Sequence, residues 1–368
     1  YMMCSHPRPL WNLVYEPFIR QSAGLGQAPK DRDQDTYEQL YAFYDVVVIG
    51  GGVAGLQAAH AAAKSGARVL LMEQSDHWGG RAPVDGGMVN DTPVDKLVDD
   101  LVDTLTNLNN VTLRQRKMGA GIYDHGYLLG YERVRDHDPQ LGGPRHRLWR
   151  IRASQIITAT GAIERPLSFA GNDIPGVMLA AAVRDFIANW CVSVGDRFVV
   201  VTNNDDAYLT ALWLHEHGLY VPVVLDARKG GGGVLADRAR AAGIRVETGR
   251  ASPKVKGGKR VTGVAICSQA GEGAVLEEIE CDAVAMSGGW SPVVHLWSHC
   301  GGKLVWDEEN AFFRPDVDKA PTGAQGEAFV ACAGTANGVM ALGDALADAE
   351  AAGRKAADAA GFKPKRAV

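Results

Sequence analysis

A chain of 368 residues, 46% hydrophobic and 22% charged, carries enough apolar material for two packed cores, so two domains are expected. Its formal net charge of −5, with no stretch concentrating Lys and Arg among aromatics, excludes a nucleic-acid surface, and no apolar run approaches the ~20 residues that span a bilayer. The six cysteines are scattered without a CxxC or a Cys/His spacing suited to a tetrahedral site, which predicts reduced thiols, a cytoplasmic setting and no metal.

Residues 1–44 mix aromatics with Pro and charge and follow neither a helical nor a strand period. An extended N-terminal arm is expected there, with Trp11, Tyr15 and Phe18 covered by this chain or by a partner. At Asp45 the character changes. The β-branched run 45–49 reads as a strand buried on both faces of a parallel sheet, and it leads straight into Gly50-Gly51-Gly52-Val53-Ala54-Gly55. An alanine-rich helix over 56–65 stops at Gly66, and a second strand over 68–72 delivers Glu73. A helix over 93–108 and a strand over 111–117 follow. Polar alternation between Tyr123 and Trp149 predicts a β-hairpin excursion, and a strand over 155–160 ends at Gly161. A second β-α-β unit occupies 197–202, 206–217 and 220–225; Gly230 to Gly233 read as a flexible loop, and strands over 245–247, 261–267 and 283–286 continue its sheet. A strand over 328–333 and a long alanine-rich helix over 339–360 close the chain.

The alternation predicts an α/β chain of two Rossmann-like, FAD/NAD(P)-binding domains of the glutathione-reductase kind, with parallel central sheets. The first is assigned residues 45–161 and 290–368, and the second residues 162–289. A lone glycine-rich turn is a weak signal, but here it joins a buried strand to an alanine-rich helix and an acid follows at the end of the next strand. Gly50 allows the tight turn, Gly52 lets backbone N–H groups reach a diphosphate, and Gly55 lets helix and strand pack closely. Glu73 is placed to accept ribose hydroxyls and to repel a 2′-phosphate; the bland alternative is a surface acid. Gly80 and Arg81, in Gly79-Gly80-Arg81, resemble a second glycine pair beside the diphosphate, with Arg81 able to pair a phosphate oxygen; an ordinary loop competes. Thr160 and Gly161 end a strand with small residues, which suits a crossover beside a bound nucleotide.

The second unit carries Asn203-Asn204-Asp205-Asp206 where a phosphate site would have glycines, so it is read as degenerate. The return strand ends in Ala333-Gly334-Thr335 instead of the Gly-Asp usual where a carboxylate meets a flavin's ribityl chain. No acid, base, nucleophile or redox cysteine pair stands out, and the catalytic residues are unassigned.

Several segments carry a family resemblance: Met2 to Pro9, the Gly50 turn, Ala159-Thr160-Gly161-Ala162-Ile163-Glu164-Arg165-Pro166, Thr202 to Asp205, and Ser287-Gly288-Gly289-Trp290-Ser291-Pro292. On these the chain resembles the α subunits of heterotetrameric sarcosine oxidases, with the related opine and cyanide-forming dehydrogenase subunits behind them. The resemblance implies the dinucleotide-binding core of a longer subunit, NAD in the first fold, FMN and FAD in or with partner subunits, and inactivity of the isolated chain. The whole complex would oxidatively demethylate sarcosine to glycine, yielding peroxide and passing a one-carbon unit to tetrahydrofolate. Carried over by position, the implied NAD contacts are Ala54, Glu73, Gln74, Arg81, Gly119, Thr335, Met340 and Leu342. Two alternatives are a free-standing FAD-dependent oxidoreductase acting on a secondary amine or opine, and a non-catalytic scaffold subunit.

Overall fold

In the computed structural model the described residues are 8–26, 29–271 and 273–362; the first seven residues of the arm, and with them most of the Met2–Pro9 segment, lie outside these. The first unit runs through β1 (Tyr37–Ile49), α1 (Val53–Lys64), β2 (Val69–Met72), α2 (Val94–Thr106), β3 (Val111–Arg114), β4 (Lys117–Tyr123), β5 (Tyr127–Arg133) and β6 (His146–Thr158). The second contains β7 (Val177–Leu179), α3 (Ala180–Trp190), β8 (Arg197–Thr202), α4 (Asp206–Glu216), β9 (Tyr220–Asp226), α5 (Gly233–Ala241), β10 (Arg245–Thr248), β11 (Arg250–Gly257), β12 (Val261–Ser268), β13 (Val275–Glu280) and β14 (Ala283–Ser287). The chain then returns to the first unit with β15 (Val330–Cys332) and α6 (Leu342–Ala359).

β1 pairs in parallel on both sides, with β2 in register Val46↔Val69 and with β6 in register Val46↔Gln155, and both its faces are covered: Val46 and Val48 are fully buried against Leu56, Ala59 and Leu101 of the helices, and Val47 against Ile122, Leu128 and Trp297. That accounts for the unbroken β-branched run, since neither face of the strand meets water. The sheet order is β3-β2-β1-β6-β5-β4, and β15 pairs in parallel with the last residues of β6. The expected hairpin is present as the antiparallel β4-β5-β6 meander. Arg116, at φ 53, breaks the expected 111–117 strand and sends the chain from β3 into β4. Helix α2 buries Val94, Val98, Leu101 and Leu105, an i, i+4, i+7, i+11 stripe that explains how it lies on the sheet. The alanines of α1 and α6 allow near contact of their backbones: a Cβ on Gly353 would come 2.2 Å from the Ala58 carbonyl oxygen.

The second unit is a parallel sheet in the order β7-β14-β8-β9-β10, with its own core around Phe198, Tyr208 and Val224. Strands β11, β12 and β13 form a separate antiparallel sheet, so the 261–267 segment does not continue the parallel sheet as expected. Its hydrophobic residues face Val199, Val201 and Val223 across an interlayer core. Two short crossings, Ala162–Glu164 and Trp290–Pro292, pair antiparallel where the chain leaves and re-enters the first unit.

The arm differs from the expectation. Residues 8–22 are helical, and residues 37–44 extend β1 alongside β6, from Tyr37↔His146 to Tyr44↔Ala153. Local pattern missed the extension because its side chains alternate between exposed and half-buried positions at a sheet end, where the hydrophobic signal is weak. Tyr15 and Phe18 are exposed, so this chain does not cover them.

Candidate nucleotide-binding site

The glycine turn sits at the carboxyl end of β1, and each glycine answers a separate steric demand. Gly50 has φ +106 and faces the Ala159 carbonyl oxygen, which a Cβ would approach to 2.3 Å. A Cβ on Gly51 would strike the Trp78 ring at 2.5 Å, and one on Gly55 would come 1.8 Å from the Gly50 carbonyl oxygen. Gly52 is the exception, with nothing within 4 Å. The turn is therefore packed tight at three positions and open at the one that should admit a ligand. Helix α1 begins at Gly52 with no side-chain cap, so its first N–H groups are left to an anion.

Glu73, 7% exposed, is already partly engaged. Its Oε2 accepts the Gly51 N–H at 2.6 Å, and its Oε1 accepts both the Ser75 N–H and the Ser75 hydroxyl at 2.7 Å. With two lone pairs per oxygen, Oε1 is filled and Oε2 keeps one acceptor position for a ribose hydroxyl. Neither Trp78 nor Ser75 was legible as part of the site, since one acts through its ring under Gly51 and the other through a turn closed on Glu73. Replacing Glu73 with Ala is expected to weaken dinucleotide binding by ~1 to 3 kcal/mol, removing a charge-assisted bond and loosening the turn. Calorimetric titration of the stripped protein measures it, and unchanged affinity would reduce Glu73 to a structural acid.

The Gly79–Arg81 turn is fastened to the glycine turn: the Gly79 N–H donates to the Gly51 carbonyl at 2.8 Å, and Gly80, at φ +59, lies so near Gly52 that its Cβ would stand 3.2 Å from that Cα. Arg81 turns its guanidinium elsewhere, to Asp85 through Nε (3.0 Å) and Nη2 (2.7 Å), and to Asp185 of α3 through Nη1 (2.7 Å). Gly119 of β4 covers the end of β1, where a Cβ would meet the Ile49 side chain at 2.8 Å. Thr160 donates its hydroxyl to the Val293 carbonyl at 2.8 Å, and Gly161 has φ +78 with the Thr335 hydroxyl oxygen 4.0 Å from where its Cβ would be. Gly334, at φ +64, rests against Ala54, whose Cβ a Cβ on Gly334 would approach to 2.6 Å, so the start of α1 and the Gly334–Asn337 turn abut. The structure thus groups Gly50, Gly52, Ala54, Gly55, Glu73 and Gly80 around the first turn, and Thr160, Gly161 and Thr335 along the return. Gln74 and Met340 are exposed at the margins, and Leu342 begins α6 beside Gly87.

Asp348, nearly two turns inside α6, was not anticipated. Its Oδ2 accepts the Gly334 N–H at 2.8 Å and its Oδ1 the Asn337 amide at 3.1 Å, holding the turn that carries Thr335. A spacing of fourteen residues across a turn and a helix has no local sequence signature.

The equivalent site in the second unit is filled from within. Asp226 ends β9 as Glu73 follows β2, but it is fully buried and accepts the Tyr208 hydroxyl (2.9 Å) and the Arg228 backbone and side-chain N–H groups (2.8 to 3.0 Å). Burial and the Asp226 hydrogen bond hold the Tyr208 phenol far above its usual range. The glycine stretch read as flexible is packed onto this pair: a Cβ on Gly231 would stand 2.2 Å from Asp226 Oδ2, and one on Gly232 2.6 Å from the Tyr208 ring. Asp205 pairs with Arg228 and Asp206 with Arg184, so carboxylates occupy the phosphate position and have their own partners.

Between the two units, Glu164 is 6% exposed and accepts the Ala181 N–H at the start of α3 at 2.8 Å through Oε2, while its Oε1 has no partner. Burial pushes its carboxyl up to about 7 against the Ala181 hydrogen bond and the nearby Ser287 hydroxyl, with Asp206 adding to the rise and Arg184 opposing it. Among the cysteines, burial raises the thiols of Cys281 and Cys332 to about 12 and that of Cys300 to about 11, which leaves them protonated and weakly nucleophilic at neutral pH. Among the described residues no group of three or more His, Cys, Asp or Glu could hold a metal ion, and no helix is long and apolar enough to cross a membrane.

Residues 44–317 match the pyridine nucleotide-disulphide oxidoreductase family. The chain is 38% identical over 348 residues to the alpha subunit of sarcosine oxidase from Rhizobium meliloti (strain 1021), covering 94% of this chain and 34% of that protein. It is 26% identical to an opine oxidase subunit of the same strain, over 75% of this chain and 63% of that one. The chain therefore spans about a third of the length of the sarcosine oxidase subunits it matches. Among solved structures, L-proline dehydrogenase from P. horikoshii superposes with a TM-score of 0.66 at 21% identity, over 92% of this chain and 60% of that one, a likeness of fold.

Proposed function

The chain belongs to the pyridine nucleotide-disulphide oxidoreductase family, and from that premise we propose that it is the dinucleotide-binding core of a sarcosine oxidase-type α subunit, holding NAD in the first fold. The observation that carries this reading is the contrast between the two units, one turn open at Gly52 beside Glu73 and the other closed over Asp226. The similarity to sarcosine oxidase alpha subunits along 94% of the chain supports the choice of relatives. A nicotinamide dinucleotide in the first fold would supply hydride transfer. In this reading the α1 N-terminus and Gly52 hold the diphosphate, Glu73 orients the ribose and disfavours a 2′-phosphate, and Thr335 in place of a carboxylate favours NAD over FAD. Gln74, Gly119, Met340 and Leu342 border the cofactor.

The wider assembly proposed is a cytoplasmic hetero-oligomer that oxidatively demethylates sarcosine at its CH–NH bond, with FMN and FAD in or beside partner subunits and the one-carbon unit passed to tetrahydrofolate. Mass spectrometry and absorbance of the small molecule released on denaturing the purified chain test the cofactor: NAD is expected, and stoichiometric FAD would overturn it. The chain alone is expected to form no peroxide from sarcosine, as no acid, base or thiol pair suited to the chemistry is seen among its described residues. Turnover near that of a complete flavoenzyme would move the active site into this chain.

A further inference from the structure

Each unit contributes one arginine and one aspartate to a reciprocal ion-pair square at the junction. Arg81 and Asp85 come from the first unit, on the glycine-pair turn and the short helix Ala82–Asp85; Arg184 and Asp185 are neighbours on α3 of the second. Arg81 reaches Asp185 at 2.7 Å, Arg184 reaches Asp85 at 3.3 Å, and Arg81 also grips Asp85 at 2.7 Å. Asp206 of α4 holds Arg184 from behind at 2.8 Å, and the Arg184 side chain is 1% exposed. The Arg81 guanidinium also lies over Trp290, on the returning crossing, 5.5 Å from its ring centroid. Three of the five Arg81 donors are spent on carboxylates, and the group points at the second unit while its turn stays bonded to the glycine loop.

We propose that Arg81 is a clamp between the two dinucleotide folds and not a phosphate ligand, and that with Arg184 it sets their relative orientation. The Arg184 guanidinium is buried, so its charge is heavily penalised unless Asp85 and Asp206 stay beside it, whereas the part-exposed Arg81–Asp185 pair adds little energy and acts through its geometry. The second fold, its own site closed, thereby becomes a fixed platform beside the first. The proposal rests on the nucleotide-site reading only in its binding arm.

Two measurements on the full chain test it. Nitroxide labels at the exposed positions Asp99 (α2) and Arg238 (α5), in a chain whose Cys4, Cys191 and Cys300 are serine, report the distance between units. One narrow distance distribution is expected for the parent, and a broadened or second distribution for Arg184→Gln with Asp185→Asn; an unchanged distribution would overturn the clamp. If the double variant does not fold, Asp185→Asn alone decides, its side chain being 38% exposed. Calorimetric titration with NAD and with FAD gives the other arm. Arg81→Gln should change the affinity of whichever binds by less than about threefold, and a larger loss would make Arg81 a phosphate ligand after all. Binding of neither dinucleotide would refute the nucleotide reading, while the distance measurement would still decide the clamp.

Discussion

Alanine at position 55 is expected to destabilise the first unit by on the order of 3 kcal/mol and to lower dinucleotide affinity at least tenfold. The added Cβ would stand 1.8 Å from the Gly50 carbonyl oxygen and 3.4 Å from Ala159 Cβ, so the obstruction is backbone that cannot rotate away. Relief requires α1 to lift from β1, which moves its N-terminus away from the diphosphate position and opens the packing of Leu56 and Ala59. Position 343 provides the control. Gly343 lies in α6 with nothing within 4 Å, so Gly343→Ala should be neutral or stabilise by ~0.5 to 1 kcal/mol through helix propensity. Urea midpoints for the two variants separate the effects, and a Gly55→Ala chain as stable as the Gly343→Ala chain would refute the steric account.

A stabilising change is expected at Glu164. The folded carboxyl titrates at about 7 against an ordinary 4.5, because burial disfavours its charged form. Its folded value is raised, so its contribution to stability is fully present below pH 4.5 and is lost as pH rises to about 7. The loss amounts to about 3 kcal/mol above neutrality. Gln in its place keeps an oxygen for the Ala181 N–H and cannot ionise, so Glu164→Gln should exceed the parent by up to about 3 kcal/mol at pH 8 and converge with it near pH 4.5. Denaturation midpoints across that range give the gap directly. A gap independent of pH would mean that Glu164 is ionised in the folded protein at all these values, neutralised by Arg184.

Much of the first site was readable from local signals. The β-branched run of β1, the glycine spacing and the acid after β2 lie within 29 residues, 45 to 73, and each reflects a constraint that acts between near neighbours in the chain. The carboxylates that open α4, Asp205 and Asp206, were equally plain. The helical arm, the extension of β1 through Tyr37 and the separate β11-β12-β13 sheet were not, because exposed strand ends and antiparallel side layers carry little periodic signal.

The sequence by itself determined the two-unit α/β class and the place of the open glycine turn, since backbone sterics and strand burial are written in residue types a few positions apart. Only the tertiary structure decided where the side chains of that turn's neighbours go. Arg81 beside the phosphate turn reads from sequence as a phosphate ligand, and nothing local announces that Asp185, 104 residues away, stands 2.7 Å from its guanidinium. Gly231 and Gly232 read as a loose loop until Tyr208 and Asp226 are placed beneath them. Glu164 reads as one acid among many until burial against α3 removes its water. In each case the deciding quantity is a charge, a contact or a dielectric set by residues distant in the chain, and such quantities exist only once the chain has folded.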